Sequence, residues 1–502
     1  MKNSTFDIKV EIEKTIKKYN ISDSWNKKVQ EDLKKYKKQK ASDIDKRKDF
    51  RNYDFITIDG DDAKDFDDAV FCEKLEKSWK LYVAIADVAH YVKKNSPIDK
   101  EAYQRGTSTY FPGYVVPMLP EILSNDLCSL RPNEDKLTMV AEIIIDSTGQ
   151  IKNFKFYNAV IRSSARLTYS IVEEFLKGKD LVKDKKIIKN INNLYSLYKV
   201  LEKNRNKRNA IHFDSQEISF FVNKRGEVSS IKNNIRQESQ KIIEECMIAA
   251  NVASSLFIKK NKKSSLYRVH DEPSLNKIED ASISLKALGY KLLPNVIPSS
   301  KEINSILELS KKKLDYHLVT SIILRSLARA EYTPKNIGHF GLSLKSYNHF
   351  TSPIRRYPDL VVHRILKNII NKNAEDYNLN ELEKAGEISS ENERTSEAAE
   401  REIQSILLCH YAKKFIGKKF NASIESIVNF GMFISCNEEP IQGLVHISSL
   451  GNEYFFHDDK KNMLIGEKSG KKYRVGDKIK VKLSSAYPSE RKIDFQILKE
   501  RK

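Results

Sequence analysis

Between residues 54 and 70 the chain reads DFITIDGDDAKDFDDAV, seven aspartates and one lysine held between apolar segments. Phe55-Ile56-Thr57-Ile58 is aromatic and β-branched, which predicts a buried strand, and Gly60 just past its end supplies backbone freedom for a sharp turn. After the acids the chain returns at once to Ala69, Val70 and Phe71, and a near-continuous apolar segment, Leu81-Tyr82-Val83-Ala84-Ile85-Ala86, follows. Any fold must therefore hold a carboxylate-rich loop at a strand end, against a core. Ionised acids this crowded repel one another and need either full solvation or a cation. The apolar flanks argue against a freely solvated turn, and hard oxygen ligands suit magnesium, manganese or calcium. Asp59, Asp65, Asp67 and Asp68 are the candidate ligands.

Two other readings are tested on spacing. A helix-loop-helix calcium loop starting at Asp59 needs an acid or amide at its fifth position, glycine at the sixth and glutamate at the twelfth, where this chain has Ala63, Lys64 and Val70. That reading fails. A phospho-aspartate phosphatase places an Asp-x-Asp pair after an apolar strand, as Asp59 and Asp61 do, but leaves Asp65, Asp67 and Asp68 without a role.

With 502 residues the chain is long enough for two or three domains, each able to bury its own core. Its five cysteines are scattered with no CxxC pair, which predicts free thiols in a reducing compartment and speaks against a zinc ribbon. No signal-peptide core opens the chain, and no apolar run approaches the ~18 residues of a membrane span, so a cytoplasmic protein without membrane contact is expected. The formal charge of +20, despite the acidic loop, points to a polyanionic partner such as nucleic acid. A lysine-rich proteome is the bland explanation for the same number.

Residues 1–50 read as short helices and a linker. From 55 to 146 the pattern is mostly strands, broken by a helical SPIDKEAYQRG and by residues 110–131, whose prolines and Gly113 predict an ordered loop. Strands near 137–146 and 150–160 lead to helices at 168–178 and 185–207, then to a hairpin, ISFFVNKRGEVSSI. Phe220 and Phe221 point to opposite faces of that strand, leaving one free to stack. The helix at 241–258 is apolar almost all round except for Glu244 and Glu245, so one of these is expected to face the acidic site. In LYRVHDEP, His270 reads equally as a ligand and as a satisfied core residue. In YNHFTSPIRRYPD, Arg355 and Arg356 sit on a constrained loop before an amphipathic helix and suit bidentate phosphate recognition, with pairing of one of them to a core acid as the alternative. A long polar helix at 379–415 ends before Gly417, and residues 418–499 alternate like about five strands of a small OB-type barrel. Phe430, Phe433, His446, Tyr454 and Phe455 would give it stacking groups for single-stranded bases.

Taken together, TIDGDDAKDFDDAV, IADVAHYV, PMLPEILSNDLCSL, IIEECMIAAN and FTSPIRRYPDLVVHR resemble the motifs of the RNB ribonucleases, in that family's order, from about residue 10 to 499. The resemblance implies an α+β fold: a helical, linker-like segment at 1–50, an RNB catalytic domain of mixed sheet and helices at 51–416, and an OB-fold domain of the S1 type at 417–499. It implies a processive 3′-to-5′ exoribonuclease that releases nucleoside 5′-monophosphates by metal-assisted water attack, with magnesium, or manganese in its place, as cofactor. Single-stranded RNA 3′ ends are the implied partner, and a monomer is expected. By the same matching Asp59, Asp65, Asp67 and Asp68 are the metal and catalytic acids and Arg355 the phosphate contact. Tyr110 and one of Phe220 or Phe221 resemble the clamp on the terminal bases, and Tyr169 and Glu245 resemble further cavity residues. The family usually carries two cold-shock domains ahead of the catalytic region, and this sequence starts in what resembles the linker after them. It also has no lysine-rich tail of the kind often found past the S1-type domain, so the resemblance says least about substrate grip and duplex unwinding. An RNA-binding or scaffolding protein built on an inactive RNB domain is the alternative, and the intact acid cluster with Arg355 speaks against it.

Overall fold

The computed structural model describes residues 6–36, 43–213, 217–223, 228–234, 236–313, 315–373, 377–458 and 463–498. The first strands in chain order are β1 (Lys48–Asp49), β2 (Ile56–Asp59), β3 (Asp68–Lys74), β4 (Ser78–Ala86), β5 (Thr109–Phe111), β6 (Tyr114–Val116), β7 (Asp135–Asp146), β8 (Ile151–Arg162) and β9 (Ala165–Thr168). Seven of them build one mixed sheet in the order β1-β8-β7-β4-β3-β2-β9. The middle strands are buried on both faces, which is why residues 81–86 carry no polar alternation. Near one edge β2 pairs antiparallel with β3 and parallel with β9, where Asp59 lies opposite Thr168. The acids therefore gather where β2 and β9 end and β3 begins.

The helices Lys185–Lys207, Glu238–Lys260 and Tyr357–Asn371 pack on this sheet and complete the main core. Asp184 caps the first of them, accepting from the backbone N–H groups of Lys186 and Ile187. The segment read as a loop at 110–131 is more regular than expected. It holds the hairpin of β5 and β6 and a π-helix at Ile122–Leu127. Pro112 and Gly113, the latter at φ +77°, form the tight turn, and the β-branched and aromatic run Tyr114-Val115-Val116 supplies the return strand.

At the N-terminus the helices Ile8–Lys18 and Lys27–Leu33 pack on the body of the protein: Val29 joins the main core, while Ile8, Ile12 and Ile16 join a satellite cluster with Ile403 and Leu407. A second hairpin, β10 (Glu217–Val222) and β11 (Val228–Asn234), reaches the same cluster. The long helix Leu379–Ala412, opened by an Asn378/Glu381 capping box, then runs to the second domain. There the strands Lys419–Val428, Gly431–Cys436, Gln442–His446, Lys492–Ile497 and Lys478–Tyr487 close a barrel in that order. The α+β organisation expected from the sequence, a large mixed sheet with helices followed by a five-stranded OB barrel, is the one observed. All five cysteines are free and buried.

Candidate active site

The chain brings the acids together by pinning the turn between β2 and β3 from two sides. Ser129 accepts the Phe66 N–H at 3.1 Å and donates to the Lys64 carbonyl at 2.7 Å, so the SNDLCSL segment holds the loop's return leg. Arg166 on β9 donates to the carbonyls of Gly60 and Asp61 at 2.9 and 2.7 Å and holds its outgoing leg. Sequence reading missed both residues. Arg166 had a signal in the RLTY segment, but its target emerges only from the parallel pairing of β2 and β9.

The loop before the Tyr357–Asn371 helix closes the site. Ile354 donates its N–H to Asp67 Oδ1 at 2.9 Å, and Arg355 Nε faces Asp67 Oδ2 at 3.5 Å. Backbone contacts fix this loop in turn: the Arg355 carbonyl accepts the Ser108 N–H at 3.0 Å and the Thr107 hydroxyl at 3.1 Å. The result is a pocket of about 300 Å³ lined by Asp59, Asp65, Asp67, Asp68, Tyr110 and Arg355, with Ala63 at its margin. Tyr110 Oη lies 3.4 Å from Asp65 Oδ2. Asp61 and Asp62 are exposed outside it, which removes the Asp59/Asp61 nucleophile pair of the phosphatase reading.

Burial raises the pKa of Asp67 well above the ordinary carboxylate value, against the opposing pull of Arg355 and the Ile354 N–H. Burial also raises Asp59, reinforced by the neighbouring Asp68 and Asp65 charges, and it raises Asp68 with Arg355 opposing. Asp59 and Asp68 are partly buried and line the pocket. Asp59 Oδ2 and Asp67 Oδ2 are buried without a hydrogen-bond partner. Carboxylate oxygens turned inward with too few donors fit a hard cation. Among the described residues no three or more His, Cys, Asp or Glu side chains stand close enough together to hold a metal ion by themselves. The donors available here are all carboxylate oxygens, the kind of ligand that suits a hard divalent cation.

The other residues singled out from the sequence divide. Tyr169, at the start of the helix Tyr169–Leu176, lies beside the acids, and its hydroxyl pKa is raised by burial and by Asp68 and Asp59. Arg356 does not reach the pocket: it pairs with fully buried Asp359 at 2.8 Å, and that carboxylate also accepts the Ser352 N–H. Arg356 is therefore not an RNA contact, and the pair divides as the alternative reading had it, one arginine taken by a core acid, because adjacent side chains on one turn diverge. Glu245 is likewise committed elsewhere, to Arg205 at 2.8 Å, and Glu244 pairs with Arg205 and Arg236, so the donors this helix needed come from arginines and neither glutamate lines the pocket. Phe220 packs on the satellite cluster, while Phe221 is 45% exposed and turned outward, with Lys232 Nζ 5.2 Å from the centre of its ring. His270 is a satisfied core residue, accepting the Gly341 N–H at Nδ1 with Nε2 on the Ala328 carbonyl. On the barrel Phe430, Phe433 and His446 are exposed, with the two phenyl rings edge to face at 6.3 Å. Tyr454 is exposed too, but Phe455 is buried in the barrel core, so the register makes Phe456 the outward ring.

Comparison with known proteins identifies both domains. The RNB domain matches residues 47–372, and the S1 RNA binding domain matches residues 413–497. Ribonuclease R of Escherichia coli (strain K12) is 42% identical over 466 residues, covering 90% of this chain and 57% of that protein. Ribonuclease R of Aquifex aeolicus (strain VF5) is 38% identical over 495 residues, covering 97% and 70%. The structure of Mycoplasma genitalium RNase R in complex with ribose methylated single-stranded RNA is similar with a TM-score of 0.92 at 31% identity, covering 98% of this chain and 78% of that one. The chain spans little more than half the length of the E. coli relative. With a matching domain over most of its length and relatives of this similarity, the chain belongs to the RNB family, its RNB domain followed by an S1-type OB fold.

Proposed function

We propose that this chain is a processive 3′-to-5′ exoribonuclease, hydrolysing RNA to nucleoside 5′-monophosphates in RNA decay and processing. The observation that carries the reading is the single pocket uniting Asp59, Asp65, Asp67 and Asp68 with Arg355 and Tyr110. A bound divalent ion, magnesium or manganese, would be held among Asp59, Asp65, Asp67 and Asp68 with water and the RNA phosphate completing its shell, and would supply charge neutralisation and activation of water at neutral pH. The chain's own residues do the rest. Arg355, its side chain 46% exposed and its backbone fixed on both sides, presents a guanidinium to the scissile phosphate, where charge grows as water attacks. Tyr110 and Phe221 offer rings to the last bases, and Tyr169 extends the wall beside the acids. Further out, Phe430, Phe433 and His446 give the barrel a stacking face for the incoming strand, and the +20 charge favours a polyanion. Single-stranded RNA with a free 3′ end is the substrate that fits, and a cytoplasmic monomer is the form proposed. Among the described residues no helix is long and apolar enough to cross a membrane.

The test is product identity. Uniformly labelled single-stranded RNA incubated with magnesium should release nucleoside 5′-monophosphates, and excess chelator should stop the release. Nucleoside diphosphates formed in phosphate buffer, or chelator-resistant cleavage, would contradict the hydrolytic, metal-assisted reading.

A further inference from the structure

The two rings assigned to the base clamp come from hairpins far apart in sequence, β5–β6 with Tyr110 and β10–β11 with Phe221. Both hairpins stand on the same satellite cluster, separate from the main core. Phe111 and Val116 enter it from the first hairpin and Val228 from the second, with Phe220 packed against it. Its floor is made by the N-terminal helix and the long helix, through residues such as Ile12 and Ile403. Strand alternation then does the aiming. Phe111 is 4% exposed and faces the cluster, so Tyr110 before it must face away, at 39%, and Phe220 and Phe221 repeat the arrangement.

The first hairpin has a polar anchor as well. Successive turns of the long helix place Ser396 and Glu400 on one stripe. Ser396 Oγ meets Thr109 Oγ1 at 2.8 Å, and Glu400 Oε1 accepts the backbone N–H of Tyr110 at 2.7 Å. Tyr110 is thus held at both ends, by Glu400 at the backbone and by the neighbourhood of Asp65 at the hydroxyl. The helix that holds it continues into the barrel core through Cys409 and Ala412.

We propose that Glu400 is a positioning residue of the RNA clamp: by fastening the Tyr110 backbone to the long helix it fixes the ring beside the acid pocket and so sets the oligonucleotide length at which product is released. This rests on the clamp reading given above. Glu400 touches neither the reacting phosphate nor the acids, so its action passes through Tyr110 alone.

The experiment compares limit digests of 5′-labelled single-stranded RNA by the full chain and by Tyr110→Ala, Glu400→Ala, Glu400→Gln and the double alanine variant. Tyr110→Ala should end on products at least one nucleotide longer than those of the wild type. Glu400→Ala should shift the ladder in the same direction, the double variant should go no further than Tyr110→Ala, and Glu400→Gln, whose amide oxygen accepts the same hydrogen bond, should restore the wild-type ladder. Glu400→Met, which keeps the side-chain length and helix propensity without an acceptor, replaces Glu400→Ala if that variant does not fold. A wild-type ladder from Glu400→Ala beside a shifted one from Tyr110→Ala overturns the positioning role and leaves the clamp standing. Additive shifts, or Glu400→Gln behaving like Glu400→Ala, also overturn it. An unshifted ladder from Tyr110→Ala overturns the clamp and the positioning role together.

Discussion

Arg355 Nε stands 3.5 Å from Asp67 Oδ2, across the seam where the β2–β3 turn meets the loop before the Tyr357–Asn371 helix. The neighbouring Ile354 N–H takes the other oxygen of the same carboxylate at 2.9 Å. Asp67 therefore joins the two segments of the chain that carry the acids and the Arg355 guanidinium, and it sets their spacing. Such preorganisation lets charge that develops in a reaction be met without rearrangement.

The two adjacent arginines should separate in experiment. Arg355→Ala should slow RNA cleavage by about 10²–10³-fold, the usual cost of one charge-stabilising donor, with little change in melting temperature, because its side chain is half exposed. Arg356→Ala should instead lower stability by about 3–5 kcal/mol, because it strands the fully buried Asp359 carboxylate. Single-turnover cleavage and thermal melts of both variants check this. Equal kinetic damage with equal loss of stability would contradict the division.

Phe221→Ala should weaken retention of short oligonucleotides by about tenfold, the equivalent of ~1.4 kcal/mol within the ~1–3 kcal/mol typical of base–aromatic stacking. Its melting temperature should stay near wild type, since the ring is 45% exposed. Phe220→Ala should do the reverse, lowering the melting temperature through lost packing on the satellite cluster. Dissociation rates of a labelled tetranucleotide, measured in chelator beside the melts, distinguish the two.

Much of this was legible in the chain because local pattern and tertiary role coincide. A β-branched run ending in Asp59, and an acid pair leading into Ala69-Val70, could be read as a strand, a loaded turn and a strand. Arg356 was harder: its partner sits three residues on at Asp359, a visible spacing, but which of two neighbouring arginines turns toward it depends on where the helix starts. Phe455 and Phe456 pose the same problem in a strand, where a shift of one residue exchanges core and surface. The near-apolar helix shows that Glu244 and Glu245 need a cation or donors, but not which: the acidic site is the wrong choice, and arginines from other segments supply them. Glu400 was out of reach, because its contact joins residues 290 apart and carries no local signature.

Asp87 offers a pH test away from the site. It is fully buried between Arg47 and Lys367, each 2.7 Å away. Burial pushes its carboxyl up, but the two cations outweigh that and hold it well below the ordinary range. Burial lowers Lys367 more than Asp87 raises it, so the pH dependence is read from the carboxylate, which faces both cations. A carboxyl depressed in the folded state contributes its stability above the unfolded value near pH ~4 and loses it as pH falls toward the folded one. Asp87→Asn should cost about 3–5 kcal/mol at neutral pH, and the gap to wild type should narrow as pH drops below ~4. Urea midpoints of both proteins across that range provide the check, and a gap that widens on acidification would contradict the assignment.

The most direct test of the active site is a denaturing gel of 5′-labelled single-stranded RNA treated with wild type and Asp67→Asn in magnesium, with filter binding of the same RNA alongside. The expected result is stepwise shortening from the 3′ end by wild type and none by Asp67→Asn, with RNA affinity kept within a few fold, because the substitution removes one pocket carboxylate and leaves the barrel and the stacking rings in place. Cleavage by Asp67→Asn at the wild-type rate, or internal fragments from the wild type, would contradict it.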